Sequence, residues 1–337
     1  MSLETLIQLY QPAIETELQR IVACANQPGV EEMHHMLAYH MGWEGEGAGP
    51  EARGKRIRPL LVLLTAEACG GSWQAALPGA AAVELIHNFS LIHDDIEDNS
   101  PLRRGRPTIW TRWGVPQAIN IGDTAFTLAQ MALLDLQHSA SPATALRASQ
   151  ILQQTCLELT QGQYLDLSYE ARGDLNLEAY WQMVGGKTAA LLSACTQIGA
   201  LAGGADESLS QLYHRFGHLL GVAFQALDDL LGIWGDAALT GKSTESDLVS
   251  GKKSLPVLIG LSKNGAFARR WAAGPVAPSE ASDLAAMLEA EGARQETLVA
   301  AARLTDEALE ALAQAGPIGE NGAALTALAR KLLAREA

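Results

Sequence analysis

An all-α protein is expected from three features of the sequence. Ala, Leu, Gln and Glu dominate, apolar residues recur at intervals of three and four, and no alternating β-branched run is bounded by hairpin-turn residues. Helices are expected at about 3–22, 56–69, 76–98, 116–137, 142–171, 177–203, 206–234 and 253–264, with shorter ones to 335. Breakers separate them. Gly42, Gly45, Gly47, Gly49 and Pro50 mark a loop, Pro101 to Pro107 another, Gly203-Gly204 a third, and Gly235 to Gly251 a long connection.

Of 337 residues, 48% are apolar and 18% charged, the balance of a packed globular chain. Length alone favours two domains. A net charge of -14 repels nucleic acid and anionic lipid, so no nucleic-acid partner is expected, and a polyanionic ligand would need local cations. Cys24, Cys69, Cys156 and Cys195 lack CxxC spacing, which argues for reduced thiols rather than zinc or disulfides. Met1 to Tyr10 carries Glu4 and no Lys or Arg, unlike the start of a secretory signal. Glu67 and Glu84 interrupt the two best apolar runs, so no membrane span and a cytoplasmic location are expected. The Gly42–Gly49 stretch follows no strand and lacks a dinucleotide fingerprint.

Three groups of residues carry chemistry. An apolar helix ends in Asp94, Asp95 and Asp98, which face the negative end of the helix dipole and one another. Asp94 and Asp98, four apart, share a face about 6 Å along the axis, a spacing that suits hard oxygen donors for magnesium. His87 lies on the same stripe. A second helix ends in Asp228-Asp229 after Phe224-Gln-Ala-Leu. Either pair alone also fits a solvated helix end; two such ends favour a metal site, of the kind built between facing helices. The cations Lys55, Arg58, Arg103, Arg104, Lys187, Lys242, Lys252 and Lys253 cluster beside these carboxylates in an otherwise acidic chain, and Arg forks and Lys point charges are the usual holders of phosphate.

Together, Gly54-Lys-Arg-Ile-Arg-Pro59, Asp94-Asp-Ile-Glu-Asp98 followed by Arg103-Arg104-Gly105, Gly162-Gln163, Lys187-Thr188 and Phe224-Gln-Ala-Leu-Asp-Asp229 resemble the trans-isoprenyl diphosphate synthases, or polyprenyl synthetases, in order and approximate spacing. The resemblance runs from about Lys55 to Pro256. It implies a single domain over 1–337, a large antiparallel helical bundle around a central cavity, and a homodimer, overriding the two-domain expectation. The implied substrates are isopentenyl diphosphate, on Lys55, Arg58, His87 and Arg104, and an allylic diphosphate, on Arg103, Lys187 and Lys242. A trinuclear magnesium cluster is implied, with Asp94, Asp98 and Asp228 as direct ligands and Asp95 and Asp229 acting through water. Thr188 and Gln225, with the Lys187 carbonyl, would face the allylic cation; Gln163 and Asp166 would support from a neighbouring helix, and Lys252 would help close the site.

One position departs from the family. Gly232 stands where many members have a third aspartate, in a place that tends to act through water, with Asp236 one turn on; catalysis is still expected, and an aspartate restored at 232 is expected to be tolerated. A class I terpene cyclase would not need the second diphosphate clamp of Lys55, Arg58 and His87. A noncatalytic partner subunit would be expected to show degraded aspartate motifs. For product length, the family places a floor beneath the growing chain at Phe89, with Ser90 beside it. The first motif, Asp94-Asp-Ile-Glu-Asp98, lacks the two-residue insertion of many bacterial farnesyl diphosphate synthases, and the floor has a single aromatic; the resemblance on both counts favours geranylgeranyl diphosphate, with farnesyl diphosphate second.

Overall fold

The computed structural model describes residues 1–170, 172–235 and 246–334. Lys242 and Asp236 lie outside the described residues. The chain divides into two compact units: one takes Met1–Gln154, Ala194–Tyr213 and Gly316–Leu325, the other Thr155–Ser193, His214–Ala315 and the segment from Thr326.

The first unit holds α1 (Leu3–Val22), α2 (Glu31–His40), the short α3 (Pro50–Arg53), α4 (Ile57–Ala68), α5 (Trp73–Glu97), α6 (Ile109–Trp113), α7 (Val115–Leu134) and α8 (Leu136–Ser139). A hydroxyl or amide oxygen satisfies the open amides at several helix starts, as capping residues do. In α1 the Thr5 N–H donates to Ser2 Oγ at 3.3 Å. Helix α5 is apolar nearly all round and packs against both α4 and α7, so it is the core helix of its unit. Glu84 within it does not interrupt the apolar run, because Arg56 matches its charge at 2.8 Å inside the protein. That corrects the expectation about membrane-spanning length: Trp73–Glu97 and Glu207–Trp234 are long and apolar enough by length and composition, but 67% and 61% of their apolar windows are buried. These are core helices.

Both α9 (Pro142–Glu170) and α11 (Ala190–Ala202) contribute to each unit, as does α12 (Glu207–Trp234). In the first unit Gly199 and Gly203, one turn apart on α11, let the α4 backbone approach closely. A Cβ on Gly199 would meet Val62 O at 2.4 Å, and one on Gly203 would meet Ala66 O at 2.4 Å. In the second unit α10 (Leu177–Val184), capped by Asn176 Oδ1 accepting from Ala179 N at 2.9 Å, runs into a π turn over Gly185–Ala189. The expected continuous helix at 177–203 is therefore widened in its middle, as helices often are at functional positions. Next come α13 (Ser246–Val249), α14 (Leu255–Ser262), α15 (Ala266–Ala272), α16 (Ala281–Ala290), α17 (Ala293–Ala315) and α18 (Gly319–Leu333).

Several features were not expected from the sequence: helix α2, the short helices α3, α6 and α13, and a two-residue antiparallel hairpin within the Pro101 to Pro107 loop, β1 (Leu102–Arg103) against β2 (Arg106–Pro107), in which Arg103 pairs with Arg106. The architecture remains all-α.

The π turn has a backbone cause. An added Cβ on Gly162 would lie 2.1 Å from Lys187 N and 2.6 Å from Gly186 C, and one on Gly186 would lie 2.6 Å from Glu158 O. Two main chains touch there with no side chain between them. Gly162→Ala is therefore expected to destabilise the protein by about 1–3 kcal/mol, the usual cost of overpacking, in urea unfolding; unchanged stability would show that the two backbones part freely.

Candidate active site

In the first unit, α5 delivers three carboxylates at its end. Asp98 caps the helix, its N–H donating to Asp94 O at 2.8 Å; Asp94 is half-buried and Asp98 exposed. Asp95 is only 2% exposed and receives Arg103 in a fork: Nε at 2.9 and 3.0 Å from its two oxygens, and Nη2 at 2.8 Å from Oδ1. Burial raises the Asp95 pKa above its usual value, against the pull of Arg103.

The hairpin aims the arginines. Arg104 and Gly105 at its tip both have positive φ, 51° and 73°, the pattern of a type I′ turn whose twist suits the flanking strands. Arg104 Nη1 then donates to Ala52 O at 2.8 Å, and its guanidinium lies over Gly54, where a Cβ would come within 2.6 Å of it. Glycine at 54, itself at φ 75°, is what the packing allows. Arg106 is occupied elsewhere, donating to the carbonyls of Tyr39, Glu44 and Glu46 and stacking over the Tyr39 ring at 3.9 Å. Arg56 is likewise structural: buried at φ 47°, it joins Glu15 at 2.7 Å and Glu84 at 2.8 Å.

Of the candidate cations in this unit, Arg103 is engaged by Asp95 and Arg104 by the Ala52 carbonyl, and Lys55 and Arg58 stand beside them. Lys55 is exposed. Arg58 Nε is buried without a hydrogen-bond partner among the described residues, as is Arg53 Nε. His87 stands among them, its pKa driven well below the usual imidazole value by burial and then by Arg58, Arg104, Arg103 and His40. His40 is held down to about 3 by burial and by Arg103, Arg104, Arg56 and Arg106. It lines a small cavity with Ala52, Asp95, Arg103 and Arg104, and the sequence reading missed it.

The second unit presents a connected set. Lys187, on the π turn, pairs with Asp166 of α9. Thr188 Oγ1 donates to Gln225 Oε1 at 2.8 Å, and Gln225 Nε2 donates to Asp229 Oδ1 at 2.8 Å. Asp229, 1% exposed, also accepts from Tyr180 Oη at 2.6 Å and Leu255 N at 2.9 Å, with Lys252 at 3.6 Å. The Tyr180 hydroxyl, absent from the sequence reading, has its pKa raised well above the usual value by burial and by Asp229. Asp228 and Gln163 are half-buried. Lys253 is structural, donating to the Tyr169 and Glu170 carbonyls at the end of α9.

The donor chemistry fits magnesium: Asp94, Asp98 and Asp228 carry hard carboxylate oxygens, Asp98 exposed and the other two half-buried. Among the described residues no three His, Cys, Asp or Glu side chains converge on one point. Magnesium is ordinarily held by one or two carboxylates plus substrate phosphates, so no protein cage is needed.

Phe89 packs edge-on against Phe126 of α7 at 5.3 Å and His93 at 4.8 Å. The aromatic at the expected floor is thus not single, and Phe126 was not visible from α5 alone. Ser90 Oγ donates to the His87 carbonyl at 2.9 Å, turning back onto its own helix.

Comparison with known proteins gives a consistent answer. The sequence is 39% identical to a (2E,6E)-farnesyl diphosphate synthase of Mycobacterium tuberculosis over 90% of this chain and 87% of that one. It is 40% identical to a geranylgeranyl diphosphate synthase of the same organism, over 91% and 87%. The structure superposes on the polyprenyl synthetase of Streptomyces coelicolor A3(2) with a TM-score of 0.84 at 38% identity, covering 97% of this chain and 99% of that one. Fold and relatives define an all-helical trans-prenyltransferase of the isoprenoid synthase fold. The chain belongs to the polyprenyl synthetase family, whose model matches residues 49–287.

Two half-buried imidazoles kept neutral make stability sensitive to acid. The unfolded chain protonates His40 and His87 near pH 6.5 and the folded one does not, so the unfolded state binds more protons and stability falls as pH drops below about 6.5. The urea midpoint is expected to decline from pH 7.5 to 5.5, and less steeply in His87→Gln; equal slopes would show that His87 titrates normally.

Proposed function

We propose that this chain condenses isopentenyl diphosphate head to tail with an allylic diphosphate, magnesium assisting the ionisation, to make farnesyl or geranylgeranyl diphosphate. The observation that carries the reading is the group of Arg58, Arg103 and Arg104 around a neutral His87, with Arg58 Nε lacking a partner among the described residues, in a chain of net charge -14. Such a cationic group suits a diphosphate. It also favours a condensing enzyme over a terpene cyclase, which needs one diphosphate site rather than two. Intact Asp94, Asp95, Asp98, Asp228 and Asp229 favour catalysis over a regulatory subunit.

In the proposed reaction Lys55, Arg58, His87 and Arg104 hold isopentenyl diphosphate, and Arg103, Lys187 and Lys242 hold the allylic diphosphate. Magnesium on Asp94, Asp98 and Asp228 would add positive charge to the leaving pyrophosphate as the allylic carbon–oxygen bond breaks. Arg103 and Lys187 contribute fixed charge to the same group without reorganising. Thr188 and Gln225 would face the carbocation, and their hydrogen bonds bear on which atoms they would present. The Asp229 carboxylate can only accept, so the Gln225 amide nitrogen turns to it; the amide oxygen then accepts the hydrogen bond that the Thr188 hydroxyl donates. Thr188 is left with oxygen lone pairs for a positive centre. The isopentenyl double bond attacks, and a proton leaves to a pyrophosphate oxygen. Gln163 and Asp166 would support Lys187 and Thr188, and Lys252 would help exclude water.

The proposal extends to a single catalytic domain over 1–337, to a homodimer and to a cytoplasmic location. Exposed Ile119, Met131 and Leu134 on α7 support an apolar contact between copies. Product length is not settled by identity, since the farnesyl and geranylgeranyl relatives are equally similar. Of the two grounds for the longer product, the single aromatic is lost because Phe126 packs on Phe89, and the uninterrupted Asp94-Asp-Ile-Glu-Asp98 motif remains.

The whole reading is tested by turnover of the purified chain with labelled isopentenyl diphosphate, each allylic primer and magnesium. Asp94→Ala is expected to lower that turnover by about a hundredfold or more while leaving the fold intact by circular dichroism. Near-normal turnover, or full activity in excess chelator, would refute metal-assisted ionisation. Phe89→Ala and Phe126→Ala should each lengthen the product, read by chromatography of the dephosphorylated alcohols. Product distributions matching wild type in both folded variants would rule out this aromatic pair as the floor.

A further inference from the structure

Arg104 and Arg106, on either side of Gly105, grip the same stretch of chain. Arg106 is buried, and each of its side-chain nitrogens donates to a different main-chain carbonyl: Nη1 to Tyr39 at 2.7 Å, Nη2 to Glu44 at 2.6 Å and Nε to Glu46 at 2.9 Å. The Tyr39 ring lies under the guanidinium, and its hydroxyl donates to the Pro107 carbonyl at 2.8 Å, tying the second hairpin strand to α2. The glycine-rich Gly42–Gly49 stretch, which fits no dinucleotide fingerprint, is therefore the cradle of an arginine. Gly45 and Gly47, at φ 80° and 71°, curl the chain around it, and a Cβ on Gly47 would stand 3.3 Å from Arg106 Cγ. Three carbonyls set around one cation need a planar fork, and an ammonium, a single point, does not meet them together.

Arg104 is seated just beyond this loop, on the Ala52 carbonyl of α3 and over Gly54. The loop is closed on itself, Gly49 N donating to Gly42 O at 3.1 Å, and α3 begins at the next residue, Pro50. Whatever holds the loop thus holds the seat of Arg104. Arg103, opposite Arg106 in the hairpin, has a support of its own in the Asp95 carboxylate of α5.

We propose that Arg106 is a positioning residue for the isopentenyl diphosphate clamp: by organising the 42–49 loop it fixes both the hairpin that carries Arg104 and the carbonyl on which Arg104 rests. The inference rests on the functional reading above, which places Arg104 on that substrate. An arginine without a fixed seat has to be ordered when the ligand binds, and this weakens binding while leaving the bond-breaking step alone. Arg103 and the allylic side are spared because Asp95 does not depend on the loop.

The test is steady-state turnover of the full chain with each substrate varied in turn, together with calorimetric binding of isopentenyl diphosphate in the absence of magnesium, folding being checked by circular dichroism. Arg106→Gln and Arg106→Lys are both expected to raise KM for isopentenyl diphosphate, and to weaken its binding, by about tenfold, with kcat and KM for the allylic diphosphate within about threefold of wild type. Gly47→Ala, which disturbs the cradle from the loop side, is expected to shift the same constant in the same direction, and it carries the test if the Arg106 variants do not fold. Unchanged KM and binding in the folded variants would overturn the proposal and leave the functional reading standing. So would wild-type constants in Arg106→Lys beside a defect in Arg106→Gln, since charge rather than the fork would then be acting, or an equal loss on both substrates, the mark of a general loosening. A wild-type chain that does not turn over would overturn the functional reading, and the binding comparison would still decide whether Arg106 positions the clamp.

Discussion

A buried carboxylate has to be satisfied from all sides, and Asp229 shows what that requirement organises. Burying an ion without partners costs several kcal/mol, yet Asp229 is almost fully enclosed. Tyr180 from α10, Gln225 from its own helix, the first amide of α14 and Lys252 all converge on it. Each donor then has consequences of its own. The Gln225 amide has one orientation left, which fixes the Thr188 hydroxyl; the amide at the start of α14 places the Lys252 to Leu255 segment. One ion thereby ties three helices and the chemistry-bearing side chains of its unit into a single pattern.

The arginine-rich segment is governed by backbone conformation instead. Arg56 and Arg104 adopt left-handed φ values that are uncommon for residues with side chains, and each is held by strong partners: two glutamates for Arg56, a carbonyl and a glycine platform for Arg104. Of five neighbouring arginines, Arg56 and Arg106 are consumed by the protein, whereas Arg58 keeps a donor unanswered among the described residues. Cations that look equivalent in a run of Lys and Arg thus differ in the partners found by each.

Helices 3–22, 142–171 and 206–234 were legible because their apolar spacing is long and regular and their starts carry Ser or Asp. Helix α2, Glu-Glu-Met-His-His-Met-Leu-Ala-Tyr-His, is short and its apolar stripe is broken by histidines, so the pattern fell short of a signal. A two-residue hairpin offers no alternation to read. The aspartates and cations stood out because charge on an apolar helix is conspicuous. Tyr180, Phe126 and His40 did not, since each gains its meaning from a partner far away in sequence.

Contact between Gly162 and Gly186 is main chain on main chain, with no rotatable group to absorb a displacement. Mechanically it is a hard stop rather than a spring, and Lys187 sits directly on it. Aromatic rings such as Phe89 and Phe126, by contrast, can be exchanged for larger or smaller groups with local adjustment. In the proposed enzyme the part that breaks bonds is built to a tight tolerance and the part that measures chains to a loose one, so product length can drift under mutation while the reaction itself stays fixed.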